Sequence, residues 1–132
     1  DESGRVLLTE TTYKEDWELP GGVVDPNESP RAGGRRELLE EIGLDIDLGE
    51  PAITDWMPSH LGWSDAIEFI YDGGILPNTI AHSLAPCDRE LRAIHWVPRE
   101  ELPDRVSELS ARRINLLLDG YQGATENGMR IP

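Results

Sequence analysis

The segment from Pro30 to Ile42 constrains the fold more than any other part of the chain, because both of its ends carry helix signals. Ser29 is suited to cap the first turn, and a proline at the first helical position sacrifices no helical hydrogen bond. Gly43 is suited to end the helix, because glycine readily adopts the left-handed conformation that often follows a last turn. The sequence therefore predicts a helix over Pro30–Ile42.

Three glutamates share one face of this predicted helix. Residues three and four apart lie on the same side of a helix, so Glu37, Glu40 and Glu41 project together. Leu38 and Ile42 can then face a sheet. Carboxylates this close repel one another, so the patch requires a positive group near neutral pH. Mg²⁺ and Mn²⁺ prefer carboxylate and carbonyl oxygens, and the spacing therefore predicts a divalent-cation site.

The residues before the helix support the same interpretation. Gly21 and Gly22 carry no side chain, so a backbone carbonyl can approach a cation there without adding charge. Arg36 can bind the carboxylate of Glu28 through two parallel hydrogen bonds. We expect this pair to fix the loop to the helix.

The remaining chain alternates strand-like and helical segments, which predicts one α/β domain over residues 1–132. The second long helix is expected at about residues 106–121, with Leu109, Ile114, Leu117 and Leu118 facing inward. The predicted strands are Arg5–Thr9, Trp17–Leu19, Pro51–Met57, Asp65–Tyr71 and Leu91–Val97. The other segments are a loop at Asn78–Asp88, a helical turn at Pro98–Leu102 and a tail from Gly123.

The charge of the chain excludes several classes of partner. Twenty-six acidic and twelve basic residues give a net charge of −14, which opposes binding to a nucleic acid polymer or an anionic membrane. No apolar run approaches the ~20 residues of a membrane-spanning helix. Cys87 is the only cysteine, so we expect no internal disulfide and a reducing, cytoplasmic location. A small anion can still bind where cations bridge it to carboxylates.

The spacing of these residues resembles the Nudix box over residues 22–44. The box reads Gly22, five residues, Glu28, seven residues, then Arg36-Glu37-Leu38-x-Glu40-Glu41-x-Gly43-Leu44. The resemblance implies an α/β/α sandwich around a mixed sheet, whose usual N-terminal strand we expect to be missing here. It also implies metal-dependent hydrolysis of a nucleoside diphosphate linked to another group X, by attack of water on phosphorus.

The resemblance also implies roles for single residues. Glu37, Glu40 and Glu41 are expected to be catalytic metal ligands, with Glu37 or Glu40 as the alternative water activator, and the Gly21 carbonyl is expected to contact the metal. A further carboxylate comes from Glu90 or Asp88, of which Glu90 is preferred. The structural residues of the box are Gly22, Glu28, Arg36 and Gly43.

The substrate is less constrained by the sequence. The rings of Tyr13, Trp17, Trp56 and Trp63 can stack on a nucleobase, and His60 lies in a loop that can reach a substrate. Pro58 lies near the position where ADP-ribose pyrophosphatases tend to have a proline, and this resemblance implies ADP-ribose or a nucleotide sugar ahead of an oxidised nucleoside triphosphate. The alternative function is a catalytically silent Nudix domain that senses a nucleotide or mediates an interaction. A homodimer is compatible with either function.

Overall fold

The computed structural model describes residues 1–132 and contains six strands and four α-helices. The strands are β1 (Val6–Thr11), β2 (Ile53–Met57), β3 (Ala66–Ile70), β4 (Leu91–Val97), β5 (Gly123–Glu126) and β6 (Met129–Arg130). The helices are α1 (Pro30–Ile42), α2 (Asn78–Ala81), α3 (Leu102–Arg105) and α4 (Glu108–Leu118). A 3-10 turn at Arg99–Glu101 precedes α3. None of the helices has the length and apolar character of a membrane span.

The strands form two separate sheets. β1 pairs antiparallel with β4, and the register shifts between Glu10 and Thr11 near the end of β1. Such a bulge bends a strand and redirects its side chains. The other strands form a sheet in the order β3-β2-β5-β6, in which β2 is antiparallel to β3 and parallel to β5. The predicted α/β class with a mixed sheet is therefore confirmed.

The prediction of a tail from Gly123 is wrong, because this segment forms β5 and β6. The two strands are joined through Asn127 and Gly128, which both have positive φ angles, of 51° and 71°. Two consecutive residues of this kind suit a tight hairpin turn. β5 is only four residues long and lacks an apolar alternation, so its pairing with β2 gave no local signal.

Three other segments also differ from the sequence prediction. The last long helix is Glu108–Leu118 rather than residues 106–121, because Ser107 caps it and Val106 is extended. The side chain of Leu118 is 41% exposed rather than inward. Residues 78–81 form α2, where a loop was predicted. In the predicted strand Trp17–Leu19, the only ladder contact is the single bridge from Glu18 to Thr9.

α1 has the predicted bounds, because its end signals act locally. The Ser29 side chain accepts a hydrogen bond from the Ala32 amide, and Gly43 ends the helix at a φ of 72°. Ile42 is buried with Leu44 and Leu91 in one apolar cluster. This cluster holds the C-terminal end of α1 against the start of β4. A second cluster joins β1, β4, α3 and α4, and it consists of Leu8, Val97, Leu102, Val106 and Ile114.

A buried ion pair joins α4 to the mixed sheet. Asp55 on β2 is fully buried, and its Oδ2 accepts a 2.7 Å hydrogen bond from Nε of Arg113 on α4. The other carboxylate oxygen of Asp55 accepts hydrogen bonds from the Thr125 hydroxyl and the Gly128 amide, at 2.6 and 2.9 Å. Arg113 also donates to Glu68 on β3 at 2.8 Å. These contacts connect four elements at one buried point.

Candidate active site

Arg36 connects the loop before α1 to the helix. Its Nε and Nη2 donate to the two carboxylate oxygens of Glu28 at 2.7 and 2.9 Å, as the sequence predicted. Nη2 also donates to the Val23 carbonyl, and Nη1 donates to Glu37 and Glu40. The hydrogen bonds from Arg36, together with the amide of Asp25, lower the pKa of Glu28 to about 2. The pair therefore stays ionised across the physiological pH range.

Glu41 lies directly against the glycine loop. Its Oε1 accepts a 2.9 Å hydrogen bond from the Gly21 amide. Burial raises the pKa of Glu41 to about 7, and the nearby charges of Glu37, Glu18 and Asp88 act in the same direction. The Gly21 hydrogen bond opposes this shift but does not cancel it. A nearby cation would stabilise the ionised form of a carboxylate in such surroundings.

Glu37 packs against the backbone of Gly22. A Cβ atom built on Gly22 would overlap Oε1 of Glu37 and would lie 2.6 Å from its Cδ. Only glycine leaves room for the carboxylate in this position. The glycine and the glutamate are therefore required together, although they are 15 positions apart in the sequence.

Gly22→Ala is expected to lower the activity by at least tenfold while leaving the fold intact. The added methyl group must displace the Glu37 carboxylate, which is the free end of a flexible side chain, so the backbone need not move. Displacement of a catalytic group by about 1 Å can cost on the order of 100-fold in rate. Steady-state kinetics and thermal unfolding of the same preparation check this. A large fall in the unfolding temperature with unchanged activity would contradict the explanation.

A cleft of about 230 Å³ brings together acidic residues from three parts of the chain, and we call it the carboxylate cleft. The predicted Glu37, Glu41, Asp88 and Glu90 all line it, with Gly21 and Gly22. Glu40 does not line it, because its side chain is 56% exposed and bonded to Arg36. The remaining lining residues are Thr11, Tyr13, Glu18 and Leu91.

The sequence interpretation did not include Glu18 or Thr11 in the site. Glu18 lies three residues before Gly21, and its backbone bridge to Thr9 turns this segment toward the cleft. Its position three residues before the glycine pair is the one signal that could have indicated it. Thr11 follows the bulge of β1, which no sequence pattern indicated.

The donors of the carboxylate cleft fit a hard divalent cation by their chemistry. The side-chain donors are five carboxylates and the hydroxyls of Thr11 and Tyr13, without a cysteine or histidine, and oxygen ligands of this kind suit Mg²⁺ or Mn²⁺. No three of the carboxylates converge on one point in the present side-chain arrangement. Glu37 is held by its ion pair with Arg36, so binding of a cation requires rotation of these side chains.

The other predicted substrate contacts lie away from this cleft. The Trp17 ring stacks on His95 with 3.6 Å between the ring centroids, and the guanidinium of Arg105 lies 4.5 Å from the Trp17 ring. Trp17 also packs against an apolar cluster. Trp56 follows Asp55 on β2, so the two side chains point to opposite faces of the sheet. His60 and Trp63 pair with each other through their backbones in an exposed loop.

The fold and the cleft define an α/β protein in which a loop and the following helix present carboxylates to one cleft. The NUDIX domain family matches residues 1–117, so the chain belongs to the Nudix family and is a Nudix hydrolase. Members of this family generally use divalent metal ions.

Individual relatives agree with this assignment. A MutT-like protein of Streptomyces ambofaciens is 30% identical over 120 residues, which cover 90% of this chain and 71% of that protein. The CTP pyrophosphohydrolase of Escherichia coli is 39% identical over 54 residues, which cover 38% of this chain and 40% of that protein. The crystal structure of the MutT protein from Methanosarcina mazei superposes with a TM-score of 0.71 at 26% identity, over 90% of this chain and 86% of that one. This likeness confirms the predicted Nudix fold.

Proposed function

We propose that the protein hydrolyses the diphosphate linkage of a nucleoside diphosphate joined to a further group, with Mg²⁺ or Mn²⁺ in the carboxylate cleft. The observation that carries the proposal is the meeting of Glu37, Glu41 and Glu90 with the Gly21 backbone in one cleft. A cleft with five carboxylates and no cationic side chain cannot bind a diphosphate directly. It can do so when divalent cations lie between the two sets of negative oxygens.

The residues of the cleft divide into cation ligands and positioning groups. We assign Glu41 and the Gly21 carbonyl as ligands, with Glu40 and Glu90 completing the set and Asp88 as the alternative to Glu90. Glu40 can contribute only after it leaves Arg36, since the two now share a 3.2 Å ion pair. Arg36, Glu28 and Gly22 position the ligands, and Gly43 ends the helix that carries them.

A water molecule must lose a proton as it attacks phosphorus, and a carboxylate in the cleft can accept that proton. We assign this role to Glu37, because its carboxylate lines the cleft beside Gly22 whereas Glu40 points outward. When bound, the cation supplies charge neutralisation of the phosphate oxygens and lowers the pKa of water. Glu37 now pairs with Arg36 at 3.1 Å, and it leaves this pair when it turns toward a bound cation.

Hydrolysis of a substrate panel tests the proposal directly, and it is measured by chromatography of the nucleotide products, because cleavage of ADP-ribose, a nucleotide sugar or NADH gives two phosphate monoesters and no free phosphate. The panel contains ADP-ribose, nucleotide sugars, dinucleoside polyphosphates, NADH, and ordinary and oxidised nucleoside triphosphates, each with Mg²⁺, with Mn²⁺ and with EDTA. We expect turnover that EDTA abolishes and that either metal restores. ADP-ribose or a nucleotide sugar is the expected substrate class. If the folded protein hydrolyses none of the compounds in the panel, the result would favour the nucleotide-sensor alternative.

The relatives support a nucleotide substrate at the level of class. The Escherichia coli relative is named for its action on CTP, which is a small nucleotide with a phosphoanhydride. A cytoplasmic location and a homodimer stay predictions from the sequence.

A further inference from the structure

A second cleft of about 420 Å³ adjoins the carboxylate cleft, and we call it the Tyr13 cleft. Thr11 and Tyr13 line both clefts, so the two are continuous along the end of β1. The other side chains of the second cleft include those of Glu10, Thr12, Lys14, Glu15 and Arg92. A ligand whose phosphates lie in the first cleft would therefore extend past Tyr13 into the second.

The two clefts differ in charge. The carboxylate cleft has five acidic side chains and no cation, whereas the Tyr13 cleft has two acidic and two basic side chains. Arg92 lies 3.7 Å from Glu10, and Lys14 donates to Glu18 at 2.9 Å on the boundary between the clefts. A balanced set of charges provides donors and acceptors without favouring an anion or a cation. The Tyr13 cleft therefore suits an uncharged polar group.

Tyr13 supplies an aromatic surface at this position. Its side chain is 61% exposed, and the Lys14 ammonium lies 5.9 Å from its ring centroid. An exposed aromatic ring beside hydrogen-bonding groups suits a nucleobase, since every base has a π-face and polar edges. The tryptophans do not offer this surface here, because Trp17 stacks on His95 and neither Trp56 nor Trp63 lines either cleft.

We propose that the Tyr13 cleft is the base-binding subsite, in which the nucleobase stacks on Tyr13 while the phosphates extend into the carboxylate cleft. This inference rests on the proposed function for the identity of the ligand. It assigns Tyr13 as a substrate-binding residue that acts on the KM rather than on the chemical step. Lys14, on the boundary, lies where the chain of phosphates leaves the carboxylate cleft.

Binding of nucleoside monophosphates tests this subsite without catalysis, because these compounds have no diphosphate linkage to cleave. AMP and UMP are titrated in Mg²⁺ by calorimetry and compared with ribose 5-phosphate, which carries the same phosphate and no base. The wild-type protein is expected to bind at least one of the nucleotides about tenfold more tightly than ribose 5-phosphate. Tyr13→Ala is expected to abolish the difference, and Tyr13→Phe is expected to retain it.

Trp63→Ala tests the alternative that the base stacks on another exposed ring, because Trp63 is 71% exposed and lies outside both clefts. Loss of the base preference in Trp63→Ala but not in Tyr13→Ala would overturn the inference. Equal binding of nucleotides and ribose 5-phosphate by the wild-type protein would overturn it as well. In kinetics with a substrate from the panel, Tyr13→Ala is expected to raise the KM about tenfold with little change in kcat.

The outcomes separate this inference from the proposed hydrolysis. A base preference that depends on Tyr13 supports the subsite even if no compound of the panel is turned over. Metal-dependent turnover with no base preference supports hydrolysis and overturns the subsite.

Discussion

Glu41→Gln is expected to lower kcat/KM by about 100- to 1000-fold. The substitution removes one negative ligand from the carboxylate cleft at nearly constant shape, and loss of charge stabilisation worth about 3–4 kcal/mol in the transition state corresponds to this factor. The amide oxygen of glutamine can still accept the hydrogen bond from Gly21. Formation of the nucleoside monophosphate product at saturating and limiting Mg²⁺ measures the effect. Glu50→Gln, at an exposed loop position, is the matched control and should retain full activity.

The same variant is expected to be more stable than the wild-type protein when metal is removed. The pKa of Glu41 in the folded protein is raised from 4.5 to about 7, so ionisation of this group opposes folding. The wild-type protein should therefore lose stability as the pH rises from about 4.5 through 7, and Glu41→Gln should not show this part of the loss. At pH 8 in EDTA we expect a gain on the order of 1 kcal/mol, after allowance for solvent screening. A fall in the unfolding temperature at pH 8 would contradict the expected cost of burying the Glu41 charge beside other carboxylates.

Asp55→Ala is expected to destabilise the fold by about 3–5 kcal/mol, which is a large fraction of the 5–15 kcal/mol typical of a domain. The variant leaves the buried guanidinium of Arg113 without its main partner and removes the acceptor of Thr125 and Gly128. Thermal unfolding should shift downward by about 10–20 °C. Glu126→Ala, on the exposed face of the neighbouring strand, is the control and should stay within about 0.5 kcal/mol of the wild-type protein.

The pH dependence gives a second readout for Asp55. Burial acts to raise the pKa of this carboxyl, but the hydrogen bonds from Thr125, Gly128 and Arg113 outweigh it and hold the pKa below its ordinary value of 3.8. The ion pair therefore stabilises the fold fully above about pH 4, and this contribution is lost as the pH falls through the lowered pKa. The stability difference between the wild-type protein and Asp55→Ala should shrink in acid. A difference that stays constant to pH 2 would argue against an ionised Asp55.

The local parts of the molecule could be predicted from the sequence. α1 has the predicted bounds because Ser29, Pro30 and Gly43 act within one turn of the helix. Glu37 and Glu41 lie together because the spacing of a helix places them on one side. The Glu28 and Arg36 pair follows from the resemblance and from complementary charge, and the structure confirms it.

The parts that depend on distant pairing could not be predicted. β5 has no strand signal of its own, and it forms because β2 offers an unpaired edge. The pair of Asp55 and Arg113 joins residues that are 58 positions apart, and neither residue has a distinctive local pattern. The Tyr13 cleft forms where the bulged end of β1 meets the start of β4, which only the tertiary fold brings together.

In both sheets, strands pair with partners that are far away in the sequence, and this affects folding during synthesis of the chain. β1 cannot pair until β4 has been synthesised about 90 residues later, and β2 cannot pair with β5 until about 70 residues later. Contacts this far apart make folding slow, because the entropy of closing a long loop is lost before the strand pairing contributes favourable free energy. While the ribosome is still making the second half, the apolar β1 segment and the open edge of β2 have no partners. Nascent chains should therefore be the most aggregation-prone form of this protein, and their recovery should respond strongly to temperature and chaperone supply.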